Sequence, residues 1–234
     1  MRPSRPSADT KAKLSPIGDW GYVPRCDGRA MFQHTVWGIC AATLLLWGCA
    51  KEEQTTAPPT GQAQEYTLRN LWVDTARGFA LLDFERGDTV SAELRGTEQW
   101  DLWLPALSAR SRSIDIFLNS GTFNPAGKTL GAVVNVPYDQ LTTVPTAELR
   151  AEDTVAARRI ISPSLGGDGL FVYDFQTHVL KPVPTKTLVL RTRTGKYVKV
   201  QFVSLYKDAP AQPNPYDLGY YTIRYTISTT PNFR

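Results

Sequence analysis

The chain has 234 residues, with 26 Lys and Arg against 22 Asp and Glu, two histidines and three cysteines. That length buries a core as one domain without staples, and three cysteines are too few for a disulfide framework. Six of the basic and three of the acidic residues precede Cys49, leaving 20 against 19 after it, so the quoted excess of positive charge supplies no basic footprint for nucleic acid.

In chain order, residues 1–30 mix Arg, Lys, Ser and Pro without periodicity, and a second methionine stands at Met31. This stretch reads as an over-extended start or a long, positively flanked leader, and is set aside from the fold. Val36–Leu46 then runs for eleven residues without a charge. That is the length of a signal-peptide core and too short for a bilayer span, which needs about 20 residues. It leads into Leu46-Trp47-Gly48-Cys49, which resembles a lipobox: a branched apolar residue, a tolerant position, a small residue, then cysteine. Trp47 is bulkier than such a position usually holds. The expectation is export, cleavage before Cys49 and acylation (palmitate-type) of that cysteine; a buried helix with an incidental cysteine is the competing reading. Several acyl chains on one residue give stable anchoring where one chain is marginal.

Cleavage there discards Cys26, Cys40, His34 and both methionines, leaving His178 as the single histidine and no methionine. Lys51–Gln64, rich in Thr, Gln, Pro and Ala, reads as a flexible tether. Its opening Lys51-Glu52-Glu53 resembles the surface-export signal of Bacteroidetes lipoproteins, although an ordinary solvated linker has the same composition. The expected organisation is therefore a discarded leader over 1–48, lipidated Cys49 and linker over 49–64, and a β domain over 65–234.

Beyond the tether the pattern is strand. Glu65–Val73 alternates imperfectly; Phe79–Phe84 meets a turn at Glu85-Arg86-Gly87-Asp88 before Thr89-Val90. Ser113–Leu118 and Gly131–Val136 alternate well, and Leu170–Phe175 is a short apolar run. Thr187–Arg191 and Tyr197–Val203 flank the Gly-containing turn Thr192–Lys196, predicting a hairpin with Tyr197, Lys199 and Gln201 on one face and Val198, Val200 and Phe202 on the other. Tyr220–Ile227 supplies good strand formers, and only Ala147–Arg159 leaves room for a helical turn or two. The predicted class is all-β: a single, mostly antiparallel, twisted multi-strand domain.

Catalytic patterns are thin. No G-x-S-x-G and no phosphate-binding loop occurs, a Ser-His-Asp arrangement depends on His178 alone, and one histidine with one lipidated cysteine makes no zinc site. Gly166-Gly167-Asp168-Gly169 offers backbone oxygens and a carboxylate to a hard cation, with a tight turn as the simpler reading. Asp83, Glu85 and Asp88 beside a turn offer an acid/base pair, with charged strand ends as the simpler reading. The expectation is a protein that is not an enzyme, an extracytoplasmic hydrolase being the remote alternative.

Taken together, Trp100-Asp101-Leu102, Ser113–Leu118 with Asn119-Ser120-Gly121, Gly131–Val134, Thr142–Pro145, Tyr173-Asp174-Phe175, His178 with Pro182, Leu188–Arg191, Gly195–Phe202 and Tyr206 form an ordered series. This series resembles the HmuY family of Bacteroidetes haem-binding lipoproteins and covers most of Trp100–Ile227. The resemblance implies a lipid-anchored outer-membrane protein, at the cell surface, that binds haem and passes it to a TonB-dependent receptor. It also implies two axial ligands, His or Met. His178 lies near one ligand position, but Glu148–Gly167, where the other is expected, holds neither residue. What remains is haem iron on His178 with Tyr173, Phe171 or Tyr197 stacking on the porphyrin and Arg or Lys pairing its propionates. Otherwise His178 is structural, its ring N–H bonded to a loop carbonyl before Pro182. The alternative function is a surface lipoprotein of the same fold serving as a non-haem interaction or ligand-binding subunit.

Overall fold

The computed structural model describes residues 62–234; Cys49, the apolar stretch before it and the tether to residue 61 lie outside the described residues. Eleven strands run through them: β1 (Gln64–Trp72), β2 (Phe79–Asp83), β3 (Asp88–Val90), β4 (Leu102–Pro105), β5 (Phe117–Leu118), β6 (Leu130–Val134), β7 (Phe171–Asp174), β8 (Val179–Pro182), β9 (Thr187–Arg191), β10 (Tyr197–Tyr206) and β11 (Leu218–Ser228). They form a five-stranded sheet in the order β1-β11-β10-β9-β6, a four-stranded sheet in the order β3-β2-β4-β5, and the β7-β8 hairpin. Every pairing between these strands is antiparallel. The all-β, antiparallel expectation holds.

Alternation explains where the strands form, and its lapses explain the departures. The imperfect period of β1 comes from a register shift between Leu68 and Leu71, where Asn70 takes φ 54°. The Asn70 amide pins that bulge by donating to Asp208 Oδ1 at 2.7 Å and accepting from the Asp208 N–H at 2.6 Å. Ser113–Leu118 alternates as expected, burying Ile114, Ile116 and Leu118, yet only Phe117 and Leu118 join a sheet. Its earlier backbone groups bond elsewhere, Ile114 N–H to the Pro163 carbonyl and Ile116 N–H to that of Ile114. Ala147–Arg159 holds two 3-10 turns, Thr146–Glu148 and Ala156–Arg158. Among the described residues no helix is long and apolar enough to cross a membrane.

The main core draws on all three strand groups. Leu188, Leu190, Val200, Ile223 and Tyr225 from the large sheet meet Leu82, Leu102, Leu104 and Leu118 from the second, while Phe171, Val179 and Leu180 come from the β7-β8 hairpin. A smaller cluster, Ala132, Val134, Leu141, Val144 and Val189, covers the opposite face of the large sheet. This second layer covers the face of β10 that carries Tyr197 and Lys199. Lys199 is buried there, its ammonium donating to the carbonyls of Tyr138 and Leu141 at 3.0 and 3.1 Å and lying 4.3 Å from the centre of the Tyr138 ring. Burial pushes its pKa down from the ordinary lysine value, with Asp139 and Glu65 opposing.

Candidate ligand-binding site

The β7-β8 hairpin turns through Phe175–His178. Asp174 organises that turn. Its Oδ2 accepts from Lys181 Nζ at 2.6 Å, and its Oδ1 accepts from the N–H groups of Gln176 and Thr177 at 2.9 and 3.2 Å. The Lys181 hydrogen bond first, then those two backbone donors, hold the Asp174 carboxyl well below the usual carboxylate range. His178 closes the turn at φ 56°, in the left-handed region that glycine fills most cheaply. Histidine visits that region more readily than most residues, but it still carries backbone strain there.

The strained residue faces Tyr173 across the hairpin. The Tyr173 hydroxyl and His178 Nδ1 are 2.8 Å apart, donor and acceptor depending on the imidazole tautomer. This corrects the structural alternative for His178: its ring bonds to a phenol, not to a loop carbonyl before Pro182. Tyr173 also packs edge-on against Phe175, with ring centres 5.0 Å apart. Phe175 is 82% exposed and Tyr216 is 86% exposed, so neither ring is there to fill the core.

Two adjoining hollows meet at Tyr173. The smaller, about 250 Å³, lies between His178, Tyr173 and Tyr216, with Leu180, Leu218 and Tyr206 also lining it. The larger, about 580 Å³, is lined by Tyr173, Phe175, Arg110 and Arg112 among others. Both include Ala109 and Ser111. The loop bearing the arginines is tied by Ser108 N–H to Ser111 Oγ at 3.0 Å and Ser111 N–H to the Ser108 carbonyl at 2.9 Å. Tyr206 anchors the hairpin to β10 by accepting the Leu180 N–H at 2.8 Å, and burial raises its phenol above the ordinary value. Hollows of this size with mostly apolar walls and a few polar groups are the usual form of a small-molecule site.

A hollow of about 600 Å³ lies elsewhere, between Tyr66, Arg86, Lys196 and Tyr225. It is larger but holds no imidazole, and its Glu85 and Lys196 are already paired at 3.1 Å.

The other residues singled out from sequence have structural occupations. Phe171 is buried against Phe202, ring centres 5.1 Å apart, and Tyr197 begins β10 beside the smaller cluster. Tyr197 stands nine residues before Tyr206 on the same strand, about 30 Å at roughly 3.3 Å per residue, so it cannot stack on a ligand held at His178. The glycine turn is a turn: Lys186 Nζ donates to the carbonyls of Gly167 and Gly169 at 2.7 and 3.2 Å, so an ammonium already takes the oxygens proposed for a cation. Asp83 accepts from the N–H groups of Glu85 and Arg86 and pairs with Arg193 at 3.2 Å. Glu85 accepts from Thr192 and Thr194. Burial works to raise the Glu85 carboxyl, but the hydrogen bonds from Thr194, Thr192 and Lys196 outweigh it and set it below its ordinary value. Asp88 caps its own strand by accepting the Thr89 N–H. These carboxylates hold turns together. Among the described residues no group of three His, Cys, Asp or Glu side chains is placed to bind a metal ion.

No protein-family model matches the chain, and no curated protein sequence matches it. Solved structures do. One is the apo HmuY analogue of Tannerella forsythia, at 10% identity and TM-score 0.43, covering 73% of this chain and 98% of that one. A second is a Bacteroides vulgatus protein described as HmuY-like and haem-binding, at 13% identity and TM-score 0.40, covering 72% and 93%. A third is a lipoprotein of Bacteroides fragilis, at 14% identity and TM-score 0.39, covering 72% and 91%. Two of these three structures are described as HmuY-like.

The site's own residues bear on whether haem suits it. Aromatic walls from Tyr173, Phe175 and Tyr216 match a flat porphyrin, Arg110 and Arg112 match its carboxylates, and Tyr173 with His178 offers oxygen and nitrogen donors that haem iron accepts. A clamp of two His or Met ligands is not available after Cys49, because His178 is the one such residue there. The residues fit haem held from one side. Arg110, Arg112 and Tyr216 were not legible as site residues, since they lie on loops far from Tyr173 in sequence. The one local signal was the Ser-Ala-Arg-Ser-Arg-Ser run, two exposed arginines among small residues.

Proposed function

We propose that this protein is a lipid-anchored, surface-exposed outer-membrane lipoprotein of the HmuY type, which binds haem and delivers it to a TonB-dependent receptor. The observation that carries the reading is the Tyr173–His178 pair at 2.8 Å, with Tyr173 lining two hollows, the larger of which Arg110 and Arg112 also line. Tyr173 and His178 hold the iron side of the ligand, Phe175 and Tyr216 cover its faces, and the arginines pair its carboxylates. Bound haem supplies the iron and the strong visible absorption by which binding is read. The strained backbone of His178 supports the assignment, because strain of this kind clusters at ligand sites. Cys49 anchors the chain, and the tether to Gln64 sets the domain off the lipid surface.

Haem titration of the intact protein in detergent tests the reading. A saturable Soret shift that disappears when Tyr173 and His178 are both replaced is expected; no saturable shift rules haem out. Labelled palmitate should enter the wild type and not Cys49→Ala. A second reading, a non-haem interaction subunit, is favoured by the exposure of Phe175 and Tyr216, which suits a protein surface as well as a porphyrin. In that case receptor capture persists without haem and is lost in Phe175→Ala.

A further inference from the structure

We propose that the phenolic oxygen of Tyr173, rather than a ring nitrogen of His178, is the atom that takes ferric haem iron, with His178 as its positioning residue. This rests on the haem-binding reading above and names the ligand atom within that site.

Three observations point to the oxygen. Tyr173 borders both hollows, whereas His178 borders the smaller one alone, so the phenol stands where a ligand spanning the two must pass. His178 is exposed at the end of the turn, while Tyr173 is half-buried on β7 with its ring braced by Phe175. A ligand atom carried on a paired strand is held more rigidly than one on a turn. The third observation is the donor set. With no second His or Met after Cys49, the neutral two-sided clamp cannot form, and a lone neutral imidazole leaves the positive charge of a ferric porphyrin unbalanced among apolar walls. A phenolate balances that charge with one bond.

The His178 geometry then has a purpose. Its Nδ1 lies 2.8 Å from the Tyr173 oxygen, and the left-handed backbone at φ 56° keeps the ring there. As the iron is taken, the O–H bond of Tyr173 breaks, its proton passes to Nδ1 of His178, and the electron pair left on oxygen makes the bond to iron. No electron is gained or lost. The same atom discriminates oxidation states, since an anionic oxygen donor prefers ferric to ferrous iron.

The test titrates the intact protein with ferric haem, comparing wild type, Tyr173→Phe and His178→Gly, glycine being chosen because it suits the left-handed backbone. Circular dichroism confirms that each variant is folded. The wild type should show a phenolate-to-iron charge-transfer band and a five-coordinate, high-spin ferric spectrum. Tyr173→Phe should lose the band and most of the affinity. His178→Gly should keep the band and weaken binding by about 10–100-fold, the usual cost of removing a group that orients a metal ligand. Reduction with dithionite should release haem from the wild type. If His178→Gly abolishes binding while Tyr173→Phe retains it, or the wild type binds without the band, the oxygen assignment falls and haem binding stands. If the wild type shows no Soret shift, both fall.

Discussion

Two hairpin turns of this protein solve one problem in opposite ways. Between β9 and β10, the turn Thr192–Lys196 places glycine at its positive-φ position, Gly195 at φ 89°. Its polar side chains are satisfied inside the fold: Thr192, Thr194 and Lys196 converge on Glu85, and Arg193 pairs with Asp83. Between β7 and β8, the corresponding left-handed position is occupied by histidine, and the turn exposes Phe175 to solvent. One turn ties two sheets together. The other gives up stability to hold a ring against Tyr173. Asn70, also left-handed, spends its side chain on a bulge of β1, whereas the His178 ring bonds to Tyr173 beside an open hollow.

The contrast breaks if removing Glu85 is harmless. Glu85→Ala leaves two hydroxyls and an ammonium without their acceptor and should cost about 2–3 kcal/mol in urea or guanidinium unfolding. Asp174→Ala, the counterpart in the exposed turn, should shift the midpoint by clearly less, because its partners can turn to water.

Gly195→Ala tests the backbone alone. An added methyl would meet nothing nearer than the Arg191 guanidinium at 3.7 Å, so the loss should be the left-handed strain itself, about 1–2 kcal/mol by thermal or chemical denaturation.

A third test uses pH. Asp101 is fully buried, accepting from the Phe84 N–H at 3.0 Å and from Thr129 Oγ1 at 2.8 Å. Burial pushes its carboxyl up from 3.8 to about 6, against those two hydrogen bonds. A carboxyl raised in the folded state binds its proton more tightly there than in the unfolded chain. Stability is therefore lost as pH rises towards about 6, and the domain should gain on the order of 1 kcal/mol between pH 7 and pH 5 from this group. Glu85 and Asp174 are lowered instead, so their contributions are lost only as pH falls below the ordinary carboxylate range. The difference between wild type and Asp101→Asn across pH 5–7 isolates the effect; equal profiles would show that Asp101 does not titrate in that window.

The smallest effect carries the most information. His178→Gly should raise thermal stability slightly, by about 0.5 kcal/mol, as relief of left-handed strain exceeds the added chain entropy of glycine. The same variant is the one expected to weaken haem binding at the proposed site. A loss of stability instead would mean that the histidine holds the turn together, and the opposition of the two turns would fail.

Period-two alternation made most strands readable, including β9, β10 and β11, because side chains on a half-buried sheet must alternate. It also made the buried set of Ile114, Ile116 and Leu118 readable, but not their backbone partners, since alternation reports burial and not hydrogen bonding. β8 escaped detection because it ends in Lys181-Pro182, and proline cannot donate to a sheet ladder. Tyr173 and His178 were nameable only through the resemblance, His178 near one ligand position and Tyr173 as one of three stacking rings. Sequence alone also determined that one histidine and no methionine follow Cys49, so that part of the chain holds no His or Met pair. Only the tertiary structure decided that His178 bonds to Tyr173, that Arg110, Arg112 and Tyr216 gather around them, and that Phe171 and Tyr197 do not. The reason is physical. A strand's period is set by neighbours in the chain, whereas a site is set by loops whose meeting depends on how separate sheets pack.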